Sequence, residues 1–250
     1  AEEPCRSRLR CQEDRRGRKE PGNRDSPRGV FFDKKGRFGY NKEAEETPQR
    51  ERECRRTDRK WRRRVRMIQT RQDLREYLEA DRRALGITRK RPAFLKDEIW
   101  RYEIALRYRE YYTNQKRGLL NRVMKAFWAL VHHRKSVQLG LQVPPNVCGP
   151  GLCINHYGLL VISHRAKIGK NFNVHQGVNI GINIDPDRAP QIGDDVFIGP
   201  GAKLYGDIVI GDRVAVSAGS VVNRSFPDPD VTIGGVPARV IHEQRGNPFV

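Results

Sequence analysis

Six histidines are the side chains of this sequence best suited to moving a proton near neutral pH: His132, His133, His156, His164, His175 and His242. Imidazole titrates close to physiological pH, so a positioned histidine can accept the proton of a hydroxyl, which is otherwise a poor nucleophile. Their settings differ. His132 and His133 are expected at the end of a basic helix, where a cation suits the helix dipole. His164 follows Ser163 at a turn position, and His242 lies beyond the last regular segment. His156 stands in Asn155-His156-Tyr157-Gly158, flanked by glycine, and His175 follows Val174 in Val-His-Gln-Gly-Val-Asn-Ile-Gly.

The five cysteines are Cys5, Cys11, Cys54, Cys148 and Cys153, an odd number with no CxxC spacing. Neither a disulfide framework nor a zinc site is indicated, no metal is expected, and a reducing cytoplasm is the expected compartment. The longest apolar run, Ala126 to Val131, is far too short to span a bilayer.

The elements that must position these residues show two periods. From Ile162 an aliphatic side chain recurs every six positions: Ile162, Ile168, Val174, Ile180, Ile192, Ile198, Leu204, Ile210, Val216 and Val222. The one missing member is Pro186, inside a polar stretch. Two positions before these aliphatics stand small or aliphatic residues such as Ala166, Val178, Ala202 and Ser220. A period of six matches neither the helix at 3.6 nor the strand at 2. It predicts a left-handed parallel β-helix, a triangular prism in which each hexad makes one strand and one turn and sends its aliphatic inward. The prism is expected over residues 141–242, followed by a short tail over 243–250. Its open ends require caps and its flanks require partners. The helices before it would close one end, and Ile233-Gly234-Gly235-Val236-Pro237-Ala238-Arg239-Val240-Ile241 the other.

Residues 67–140 read as an α-helical domain. Thr70 with Asp73 forms a capping-box pattern ahead of Leu74, Tyr77, Leu78 and Leu85. A second helix carries Ile99, Trp100, Ile104 and Leu106. A third, after Gly118, carries the stripe Leu119, Leu120, Val123, Phe127, Leu130 and Val131, which reads as core or subunit interface. Residues 1–66 are a basic, apolar-poor tail expected to be disordered. They hold +10 of the chain's net charge of +19. Met67 directly precedes the first helix, so the tail reads as lying outside the native protein. The charge permits contact with nucleic acid, yet no nucleic-acid-binding motif accompanies it.

The hexads, the Gly-Val-Pro-Ala segment and the preceding helices resemble the serine O-acetyltransferases, and more closely the members of that family found in capsule and exopolysaccharide clusters. The resemblance covers roughly residues 70–242. It implies transfer of an acetyl group from acetyl-CoA to a hydroxyl of serine or of a sugar in a glycan, in a homotrimer or a dimer of trimers. It implies His156 as general base, His175 as a second catalytic or substrate contact, and Asn155 beside them. The family's Asp-Arg-His-Pro-Lys-Ile-Gly loop corresponds to Asp187-Arg188-Ala189-Pro190-Gln191-Ile192-Gly193, where Asp187 and Arg188 would meet the acceptor. The acid that orients the family's histidine corresponds to Gln142. Asn155, Gln142 and Ala189 depart from the serine enzymes, which puts serine itself in question. Gly181, Pro200, Gly201, Ala218 and Gly219 match positions along the acetyl-CoA groove, and Arg224 or Arg239 would meet its phosphates. Two other classes remain open: a metal enzyme of the γ-carbonic-anhydrase type, which shares the prism, and a non-catalytic scaffold or nucleic-acid binder acting through the basic tail.

Overall fold

The computed structural model describes residues 30–32, 38–40, 67–93, 96–115, 118–183, 185 and 187–249. The chain divides into two units, residues 1–45 and 46–250. In the first, β1 (Val30–Phe32) pairs antiparallel with β2 (Phe38–Tyr40). This pair departs from the structureless segment expected there, and the rest of residues 1–66 lies outside the described ones.

Among the described residues, the second unit has three helices ahead of the prism. α1 (Arg71–Ala84) starts at a capping box, in which Asp73 N–H donates to Thr70 Oγ1 at 3.0 Å and the Asp73 carboxylate accepts from Thr70 N–H at 2.8 Å. α2 is Glu98–Asn114, and α3 is Leu119–Leu139, ended by Gly140 at φ 68°. α3 runs on to Leu139, past the helix end expected at His132 and His133. His132 therefore sits inside the helix rather than at its C-terminus. It is buried and stacked on Tyr102, with ring centroids 4.9 Å apart. Burial, aided by the Arg109 charge, lowers its pKa to about 4, so it is a neutral core residue and not a dipole-stabilised cation. The stripe on α3 is not core either, since Leu119, Leu120, Val123, Phe127 and Leu130 are each at least half exposed in the single chain.

The prism follows as three parallel sheets. The first stacks β3 (Leu141–Gln142), β5 (Leu160–Ile162), β8 (Asn179–Gly181), β11 (Lys203–Tyr205) and β14 (Val221–Val222). The second stacks β6 (Lys167–Ile168), β9 (Gln191–Ile192) and β12 (Val209–Ile210). The third stacks β4 (Cys153–Ile154), β7 (Asn173–Val174), β10 (Phe197–Ile198), β13 (Ala215–Val216) and β15 (Thr232–Gly235). The chain visits these sheets in rotation, which is why a six-residue period produces eighteen-residue coils. Ile162 pairs with Ile180, and Leu204 with Val222, both at that spacing. Ile180 pairs instead with Leu204, so one extra hexad stands outside the ladder between β8 and β9. That accounts for the missing beat. Pro186 itself lies outside the described residues.

The inward aliphatics form one core along the prism, with Ile168, Val174, Ile180, Ile198, Leu204, Val216 and Val222 fully buried. The small residues two positions earlier are buried as well: Ala166, Val178, Val196, Ala202, Val214 and Ser220. They line the corners, where a larger side chain would collide with the turn.

Both ends are closed. β16 (Ala238–His242) folds back antiparallel onto β15. Asn247 then runs back along the coils, donating from its backbone to Arg213 O and from its side chain to Asp195 O, each at 2.8 Å. At the opposite end, helix side chains take up the backbone N–H groups of the first coil. Tyr102 Oη accepts from Val143, Glu110 from Asn146, Asp81 from both Gly151 and Leu152, and Glu103 from Ile154. Unpaired edge amides buried without partners would each cost about 1–3 kcal/mol, so this is how an open edge becomes tolerable. No described helix is long and apolar enough to cross a membrane.

Candidate active site

The corner between the third and first sheets gathers the two leading histidines. Four successive turns stack there: Asn155 to Gly158, His175 to Gly177, Gly199 to Gly201, and Ser217 to Gly219. Backbone bonds tie them, from Gly201 N–H to Gln176 O at 2.9 Å and from Gly219 N–H to Pro200 O at 2.8 Å. Gly177, Gly201 and Gly219 adopt φ of 75°, 74° and 66°, a left-handed turn that favours glycine. A Cβ on Gly177 would lie 3.3 Å from Gly201 Cα, while one on Gly219 would meet nothing within 4 Å. The result is a column of bare backbone running away from the histidines toward the later coils. Pro200, Gly201, Ala218 and Gly219 lie in it.

The two leading histidines meet at the head of this column. His156 and His175 have ring centroids 5.7 Å apart, and Phe197 stands edge-on to His175 at 5.3 Å. His156 is exposed and His175 half-buried. Burial, reinforced by His156, holds the His175 pKa below the usual imidazole value, which favours the neutral ring. A neutral imidazole is the form that can accept a proton.

The other sequence-predicted residues divide. Asn155 is adjacent, but its amide donates to Asn173 Oδ1 and Val174 O, so it braces the next coil. Gln142 is exposed on β3, opposite Val161. Gly181 ends β8 at the far edge of the first sheet, beside Tyr205. Arg224 also lies past that edge, exposed, over the Phe226 ring at 5.1 Å. Arg239 is on the closing strand β16 and contacts its own neighbour Ala238 O at 3.0 Å. Asp187 and Arg188 belong to the extra hexad. Arg165 pairs with Asp187 at 2.9 Å, and Arg188 is bound by Asp207 and faces Asp185 at 3.6 Å. Within one chain this loop and the histidines are on different edges of the prism.

Two features had no sequence signal. Phe249, eight residues beyond the last strand's Ile241, reaches Phe197 at 5.4 Å and extends the ring row from His175. The cap beneath β4 is a buried ionic cluster. Arg107 donates to Asp81 at 2.7 Å, to Glu110 at 3.0 Å, and to Cys148 O and Gly149 O at 3.0 and 2.7 Å. Burial raises the Glu103 carboxyl well above its usual range and pushes the Cys148 and Cys153 thiols up to about 12. Asp81, Glu103, Arg107 and Glu110 are charged residues of α1 and α2 with no spacing that links all four along the chain. Only the fold brings them together, with Glu103 holding Ile154, two residues from His156. Among the described residues of one chain, no three His, Cys, Asp or Glu side chains converge as metal ligands.

The left-handed prism of hexads is the architecture of hexapeptide-repeat proteins, and comparison with known proteins places the chain among their transferases. The family described as "Bacterial transferase hexapeptide (six repeats)" matches residues 189–224. Serine acetyltransferase of Synechococcus elongatus is 36% identical over 116 residues, covering 45% of this chain and 47% of that protein. The Mycobacterium tuberculosis enzyme of the same name is 34% identical over 112 residues, covering 44% and 48%. The chain spans about half the length of the curated relatives it matches. The solved serine acetyltransferase of Brucella abortus superposes with a TM-score of 0.52 at 30% identity, covering 68% of this chain and 69% of that one. Soybean serine acetyltransferase in complex with serine gives 0.54 at 29% identity, covering 68% and 70%. The chain belongs to the serine acetyltransferase family.

Proposed function

We propose that this chain is an acetyl-CoA-dependent O-acetyltransferase acting on a hydroxyl of serine or of a sugar, with His156 as general base. The observation that carries the reading is the His156–His175 pair at the head of the bare backbone column. The column would hold the pantetheine arm of acetyl-CoA and present its thioester to the rings. His156 takes the acceptor's hydroxyl proton as the oxygen attacks the thioester carbon, and returns it to the leaving thiolate. His175, kept neutral, contacts the acceptor or shares the proton. The chain assembles as a homotrimer or a pair of trimers, which would bring the 182–190 loop of one copy to the histidine corner of the next. The family's two carboxylates stand here as the amides Gln142 and Asn155 and its loop histidine as Ala189, which removes charge around an amino-acid acceptor and favours a sugar hydroxyl of the kind used in capsule synthesis.

The test follows free thiol release from acetyl-CoA with serine and common sugars side by side. His156→Ala should lower the rate by about 10²–10⁴-fold while the circular dichroism spectrum stays that of the parent. Unchanged thiol release in this variant would sink the proposal.

A further inference from the structure

A cavity of about 520 Å³ lies between α3 and the first sheet, beside the turn that carries His156. α3 covers it through His133, Ser136 and Val137, and α2 contributes Arg109. Its floor is β3 and β5, and one wall is the Gly140–Leu159 contact, three residues from His156. There Gly158 N–H donates to Leu139 O at 2.8 Å and Leu160 N–H to Gly140 O at 3.0 Å, so the His156 turn and the cavity wall are one structure. None of the lining residues is acidic. Arg109 is half-buried, and among the described residues its hydrogen-bond partner is His132 Nδ1 at 2.8 Å, with no carboxylate beside it. A partly buried guanidinium without a counter-charge favours an anionic ligand. Arg188, to which the family resemblance gives the acceptor's carboxylate, is already matched by Asp207 and Asp185.

We propose that this cavity is the acceptor pocket, that Arg109 recognises a carboxylate there, and that the acceptor is an acidic sugar. The inference rests on the acetyl-transfer reading of His156. The acceptor hydroxyl then reaches the imidazole past Leu159, three residues from His156 on the same turn. The volume favours a ring-sized acceptor over a single small amino acid, and Pro144, Pro145, Leu159 and Val161 offer apolar walls to the C–H face of a pyranose.

D-glucuronate and D-glucose, which differ at the carboxylate, are the probes, with L-serine alongside. Titration calorimetry should show glucuronate binding to the full chain at least tenfold more tightly than glucose. Arg109→Gln should weaken glucuronate by about tenfold to a hundredfold and leave glucose unchanged, with Arg109→Lys in between. In turnover the loss should fall on the acceptor's KM, with the KM for acetyl-CoA unchanged. Leu159→Trp, altering an exposed wall residue, should block glucuronate even if Arg109→Gln folds poorly. Glucuronate that fails to bind, or binds no better than glucose or serine, overturns the proposal, as does an Arg109→Gln effect confined to acetyl-CoA. Glucuronate that binds through Arg109 without thiol release from any acceptor leaves the pocket standing and removes the acetyl-transfer reading instead.

Discussion

The prism and its helical cap meet at the first coil, yet they are held by opposite chemistry. Inside the prism one apolar layer repeats: Val174 lies under Ile198 and Ile198 under Val216, each fully buried and each contributing a similar increment. At the cap nothing repeats. Arg107, Asp81, Glu110 and Glu103 are buried charges or acids, and each holds a different backbone group of the coil that leads to His156. A ladder of equivalent contacts tolerates a small change in one rung. A single-copy polar network does not, because removing one partner strands the others in the interior.

That contrast can be tested from its largest consequence downward. Arg107→Leu leaves Asp81 and Glu110 buried without their cation and should cost about 3–5 kcal/mol in urea denaturation. The same variant should lower thiol release, since Ile154 and the His156 turn lean on this cap. Acid should act next. His132 titrates at 6.5 when unfolded and at about 4 when folded, so the fold prefers the neutral ring. The associated stability is present above pH 6.5 and is lost as pH falls toward 4, by up to about 3 kcal/mol. Denaturation midpoints across that window should drop for the parent and drop less for His132→Leu. Ile198→Val, in the middle of the ladder, should cost only about 0.5–1.5 kcal/mol and leave activity near the parent's. A cost for Ile198→Val equal to that of Arg107→Leu would erase the distinction between ladder and network.

The sequence made the prism readable because burial inside a three-sided coil forces the same side-chain type to return every six positions. Ile162 to Val222 therefore announced both the fold and, at Pro186, the hexad that leaves the ladder. The capping box at Thr70 and Asp73 was equally legible, since its bonds span three residues. The stripe on α3 was legible as apolar, but its period could not say whether it met a core or faced outward.

The site was legible only in part. His156 and His175 stood out by their motifs, but their partnership depends on the pairing of Ile154 with Val174, an offset that the six-residue beat starting at Ile162 does not supply. Three things needed the tertiary structure: the pairing of Arg188 with Asp207, the meeting of Arg107 with Asp81 across twenty-six residues, and the place of Arg109 at a cavity without an acid. The sequence by itself determined what must be repeated, because a periodic solvent boundary writes itself into a periodic composition. Which charges are neutralised and which are left for a ligand was decided by packing, because a charge's partner is set by distance in space and leaves no spacing rule along the chain.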